Sequence, residues 1–271
     1  TTVLIPLQRK EKNCQFRKHD NKIMVKGLIS LFNREISGLH QAAYLLGFFA
    51  ICSQVLALLR DRILASQFGA GNTLDLYYSA FRIPDILFVT VASIVSISVL
   101  IPFLIEKFEK GEREGKEFID TVFTFFFFFM FTVCVIAYVL APYIMSKLFP
   151  IFVNTDSFPD LIRLTRILLL SPAFLGFSNL LASITQINKR FFVYAMSPVV
   201  YNIGIIVGIL FLHPIFGISG LGYGVILGAF FHFVIQVPYI KSAQLFPSFL
   251  FPLRLSSIKK IIYTSLPRTI T

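Results

Sequence analysis

Long runs of apolar residues, broken at intervals by clusters of charge, fill the chain from residue 36 onward. A helix needs about 20 residues to cross a bilayer. By that measure the pattern predicts spans at 36–59, 74–105, 121–149, 161–187, 191–212 and 217–240, with a seventh opening near residue 260. The second run is longer than a bilayer requires, so it must tilt, bend or project, and Pro84 marks the expected bend. The third contains TFFFFFMF. Phenylalanines at successive positions cover every face of a helix, which predicts lipid contact and helix packing.

Residues 1–23 show neither hydrophobic periodicity nor the apolar stretch of a secretory signal. They read as a disordered or non-native extension ahead of Met24. From there Val25, Leu28, Ile29, Phe32 and Ile36 recur on one face, so 24–35 is expected to be an amphipathic helix lying on the membrane surface. The expected organisation is that extension, the interfacial helix, a six-helix transmembrane lobe over 36–259 and the start of a seventh helix over 260–271. The fold class is all-α, a polytopic bundle.

Composition excludes a soluble domain. Only 14% of the 271 residues are charged and 56% are hydrophobic, with a mean hydropathy of +0.76, whereas a water-facing surface takes about 25% charged residues. There is no tryptophan, so tyrosine is left to mark the membrane interfaces. Cys14, Cys52 and Cys134 have no paired spacing and read as packing residues. The cations are sorted by side. Eighteen lysines and arginines lie in the N-terminal tail and in alternate loops, against Arg60, Arg62 and Lys147 on the other side. This predicts a cytoplasmic N-terminus and accounts for the net charge of +11. Nucleic-acid binding would want the basic residues gathered on a folded soluble face, and the pattern provides none. The loop EKFEKGEREGKEF alternates in sign and reads as a solvated helix end or turn.

Ionisable groups inside a span are costly and point to a cavity or a partner. If the second run were one continuous helix, Asp75, Ser79, Arg82, Ile86 and Ser93 would form a single polar stripe. On the first helix Gln54, Ala57 and Asp61 share a face, with Ser53 and Arg60 beside it. Two neighbouring faces of opposite charge would wall a hydrated cavity. The alternative is an Arg60–Asp61 or Arg82–Asp85 pair that only reaches toward the headgroups. His19, His40, His213 and His232 fall in different segments, without a metal-ligand pair at helical spacing, and His232 reads as a hydrogen-bonded packing residue. With no nucleophile–base pair and no acidic cluster, no catalytic residue, metal or cofactor is assigned, and transport is favoured over catalysis. Gly220, Gly224 and Gly228 recur at four-residue intervals, a close-packing face for a neighbouring helix. Pro198 and Asn202 are expected to kink and polarise the fifth span.

SQVLALLRDRILASQFGAGNTLDLYYSAFRIPDILF resembles the first two helices of the bacterial lipid II flippases of the MurJ/MviN type, within the multidrug/oligosaccharidyl-lipid/polysaccharide exporter superfamily. ITQINKRFFVYAMSPVVYNIGIIVG and GISGLGYGVILGAFFHFVIQVPYI continue the similarity, and SLPRTIT resembles the opening of the seventh helix. The resemblance implies two six-helix lobes across a central cavity, of which this chain is the N-terminal one, with a C-terminal lobe missing from it. It also implies an undecaprenyl-pyrophosphate-linked glycan as substrate, flipped outward across the bacterial cytoplasmic membrane, with Arg60 and Asp75 in the cavity. The chain departs from the family at Gln54, where the first helix often has a second arginine. It departs again at Phe88, Val89 and Ser93, where an arginine pair and a glutamate are typical. Fewer cations then remain for a pyrophosphate. Another lipid-linked oligosaccharide, a drug or cation antiporter using Asp75 or Asp85, and a non-transporting membrane scaffold stay open as alternatives.

Overall fold

The computed structural model describes residues 38–92, 97–252, 258–259 and 261, and these are helical almost throughout. The extension over 1–23, the interfacial helix over 24–35, Ser93 and most of the seventh run lie outside the described residues. Helix α1 (Leu39–Phe68) is 30 residues long, about 45 Å at 1.5 Å per residue. It stops at Gly69, whose φ of 61° suits a residue without a Cβ and whose N–H caps the Ala65 carbonyl.

The second run differs from its expected form. It is interrupted at Phe81, between α2 (Asn72–Ala80) and α3 (Arg82–Ala92), and α4 (Ile97–Glu109) lies beyond residues 93–96, which are outside the described residues. This break falls three residues before Pro84. Proline has no N–H to close a turn on the Ala80 carbonyl, and its ring crowds that carbonyl, so the helix ends upstream of the proline. Phe81 N–H tightens onto the Tyr78 carbonyl before Asp85 N–H resumes an ordinary turn on Phe81. The polar stripe assumed an unbroken helix and is not continuous here.

Five helices among the described residues are long and apolar enough to cross a membrane: His40–Phe68, Glu112–Leu148, Phe158–Ile187, Phe191–Phe216 and Ile218–Ser242. The second of these is the 37-residue α5 (Glu112–Leu148). The third joins α6 (Phe158–Leu168) to α7 (Leu170–Ile187) at Leu169. The fourth runs from α8 (Phe191–Val207) through a widened π turn at Gly208–Leu212 into α9 (His213–Phe216). Pro214 withdraws the donor that the Leu210 carbonyl would take in an α-helix, which favours the wider turn. Helix α8 is continuous through Pro198. The last crossing is α10 (Ile218–Val234) followed by α11 (Val237–Ser242).

Helix α10 is the hub, packed on α6, α7 and α8, while α1 leans on α8. Glycines set the closeness of α8 and α10. A Cβ on Gly204 would overlap the backbone of Gly228, one on Gly208 would overlap Gly224, and one on Gly220 would overlap the Leu212 carbonyl. The phenylalanine run of α5 does more than meet lipid. Phe126 is buried over Gly176, and Phe123, Phe127 and Phe128 pack around Phe249 from the strap after α11. Backbone hydrogen bonds fix that strap: Ser248 N–H donates to Asp120 (2.8 Å) and Leu250 N–H to Thr124 Oγ1 (3.0 Å). The turn before α5 carries the ion pairs Lys110–Glu106, Lys107–Glu114 and Arg113–Glu117. The hydrogen bond to Glu106 holds the Lys110 ammonium above the ordinary lysine pKa.

Candidate functional site

Near the Phe68 end of α1, Arg60 turns inward against α8 instead of outward to solvent. Its Nε and Nη2 both lie 2.9 Å from Asp61 Oδ1, and its Nη1 donates to Asn202 Oδ1 at 3.2 Å. Asn202 is buried and is itself anchored, its amide nitrogen donating to Ser53 Oγ (3.2 Å) and to the Pro198 carbonyl (3.1 Å). A chain of polar contacts therefore runs Ser53–Asn202–Arg60–Asp61 across the α1–α8 seam. At its buried end, at Asn202, such a chain is strong because the polar groups are partnered and shielded from water.

Arg60 and Asp61 form one wall of a cleft of about 220 Å³, faced by Tyr77, Tyr78, Phe81 and Asp85 on the second run and by Tyr201 on α8. The Tyr77 ring packs edge-on against Phe81 at 5.0 Å. This is a guanidinium in a cup of aromatic faces with two carboxylates at its rim. The guanidinium is open to an anion only where Asp61 releases it, and the rings offer flat apolar surface for a sugar ring or an isoprenoid chain.

The sequence-predicted residues distribute unevenly about this cleft. Arg60 is in it. Asp75 sits in the first turn of α2, exposed, a position where a carboxylate favours the helix start. Arg82 opens α3 and is exposed, and Gln54 is exposed on α1. None of these three lines the cleft. Arg62 points away, exposed. Asn202, read as a helix polariser, is instead the partner of Arg60. The tyrosines were missed, although Tyr77, Tyr78 and Tyr201 in YYSAF and VVYN are polar intrusions into apolar runs. Elsewhere, His232 Nδ1 lies 2.6 Å from Ser178 Oγ, with Gln236 closing a buried cluster between α7 and α10. Among the described residues no three His, Cys, Asp or Glu side chains gather to hold a metal ion.

A family model described as "Lipid II flippase MurJ" matches residues 64–271. The chain belongs to that family. It is 26% identical over 229 residues to the lipid II flippase MurJ of Burkholderia cenocepacia, covering 82% of this chain and 44% of the relative. To the probable lipid II flippase MurJ of Haemophilus influenzae it is 30% identical over 210 residues, 72% of this chain and 40% of the relative. A solved structure, "Lipid II flippase MurJ, inward closed conformation", superposes with a TM-score of 0.69 at 23% identity, covering 84% of this chain and 48% of that one. That likeness shows the fold: an all-α, multi-pass membrane protein of transporter architecture. The chain spans less than half the length of the relatives it matches here. The family's N-terminal portion is the part matched.

Proposed function

We propose that the chain is the N-terminal lobe of a transporter that moves a lipid-linked peptidoglycan precursor, such as lipid II, from the inner to the outer leaflet of the bacterial cytoplasmic membrane. A second lobe closes the cavity from the other side. The 18-to-3 sorting of cations supports a cytoplasmic N-terminus. The observation that carries the reading is the Arg60 cleft. An arginine at this depth is retained at a cost, and its planar fork matches a pyrophosphate in a way that lysine cannot.

Both inner nitrogens of Arg60 are occupied by Asp61 in this conformation. Asp61 is therefore the counter-ion that an arriving pyrophosphate displaces. Its side chain is 47% exposed against 23% for Arg60, so the carboxylate is free to swing into water while the guanidinium stays. Asn202 keeps the fork aimed during that exchange.

Growth of cells depleted of their own lipid II flippase tests this. The whole reading frame containing this chain should restore growth. Arg60→Ala should abolish the rescue and Arg60→Lys should impair it, at unchanged membrane abundance. Arg62→Ala, exposed and outside the cleft, should rescue as wild type does. Full rescue by Arg60→Ala would overturn the assignment.

A further inference from the structure

A second cluster of cations lies on another part of the molecule and shares no residue with the Arg60 cleft. Between α5 and α6, Tyr138, Phe158, Ile162, Arg163, Arg166 and Ile167 line an open groove of about 570 Å³. The groove has a sequence cause. Pro142 cannot supply the N–H that the Tyr138 carbonyl of α5 would take, and Arg166 fills the vacancy, its Nε donating to that carbonyl at 3.1 Å. The guanidinium also lies over the Tyr138 ring, 4.5 Å from its centroid. These two contacts orient Arg166 and leave both of its Nη groups without an acceptor among the described residues. Arg163, one turn earlier, is 66% exposed and only loosely paired with Asp160 at 3.8 Å.

Depth decides what such a groove meets. The helix Phe158–Ile187 has 30 residues, about 45 Å, against a hydrocarbon core of about 30 Å. Centred in the bilayer, it projects about 7 Å at each end. Arg163, five residues from Phe158, then falls at the edge of the hydrocarbon, and Arg166 lies a further ~4 Å inward, within reach of the headgroups for a long side chain. Ile162 lines the groove level with Arg163, Ile167 lies just inward of Arg166, and the exposed surface continues apolar toward the bilayer centre with Leu170 and with Phe131 of α5. Charge at headgroup level above an apolar wall is complementary to one occupant in particular.

We propose that the α5–α6 groove binds an anionic phospholipid, its phosphate between Arg163 and the free Nη groups of Arg166 and its acyl chain along Ile167, Leu170 and Phe131. The site is independent of whether the chain flips lipid II. It explains why two arginines persist on a membrane-embedded helix, where an unpaired cation is costly.

Native mass spectrometry of the full chain with phosphatidylglycerol, and with phosphatidylcholine of the same acyl chains, tests the site. The wild type should retain phosphatidylglycerol at least tenfold more tightly than phosphatidylcholine. Arg163→Gln removes only the loose ion pair with Asp160 and should weaken phosphatidylglycerol binding about threefold, while Arg163→Gln/Arg166→Gln should remove the preference. Phosphatidylcholine binding should not change, which reports that the groove remains folded. Equal retention of both lipids by the wild type, or an undiminished preference in the double variant, would overturn the proposal.

Discussion

Asn202 does two things with one side chain: its oxygen accepts from Arg60 and its nitrogen donates to Ser53 Oγ. This double use yields a prediction that separates aim from scaffolding. Asn202→Ala removes a hydrogen bond to a charged group, worth about 1.5–3 kcal/mol, and should lower both thermal stability and substrate affinity. Asn202→Asp gives Arg60 a second carboxylate and, like the alanine variant, loses the donation to the Pro198 carbonyl. Thermal stability should then fall as in the alanine variant while lipid II affinity falls about tenfold further, because the pyrophosphate must compete with a fixed anion. If Asn202 only scaffolds the seam, the aspartate and alanine variants bind alike, which a titration in detergent would reveal. The sequence made Arg60 legible as a charge near the end of an apolar run. It did not make Asn202 legible as its partner, since the two are 142 positions apart and meet only because α1 lies against α8.

At the level of elements, the glycine face is the clearest case of sequence rule and packing agreeing. The four-residue spacing of Gly220, Gly224 and Gly228 repeats with the helical turn, so the face can be read locally. That it meets Gly204, Gly208 and Leu212 cannot, because nothing in α10 names its neighbour. Gly224→Val drives a side chain into the Gly208 backbone, which cannot rotate aside. Overpacking of this kind costs about 1–3 kcal/mol, so the thermal unfolding midpoint in detergent should fall by several degrees. Gly47→Ala, with nothing near its missing Cβ, should leave the midpoint unchanged. Equal midpoints for both variants would mean that α8 and α10 are not held by this contact. Other elements escaped the sequence for physical reasons. The break at Phe81 expresses Pro84 through a carbonyl four residues upstream. The strap over α5 has no periodicity to detect, and its anchors, Asp120 and Thr124, look like ordinary polar residues of a helix start.

The cleft draws its polar groups from helices far apart in the chain. Helix α1 supplies Arg60, α2 and α3 supply Tyr77 and Asp85, and α8 supplies Tyr201 and Asn202. An apolar face of α1 stays exposed, with Tyr44 at 78% and Ile51 at 68%, which suits contact with lipid or with a second lobe. The fold class and the membrane setting were readable because lipid imposes length and polarity on every span. The cleft was not, because it depends on which spans are neighbours. Its role is measured most directly in liposomes holding the product of the whole reading frame and fluorescent lipid II in one leaflet. Wild type and Arg62→Ala should move lipid II at the same rate, and Arg60→Ala should be slower by tenfold or more at equal reconstitution. Transport by Arg60→Ala at the wild-type rate would contradict the account.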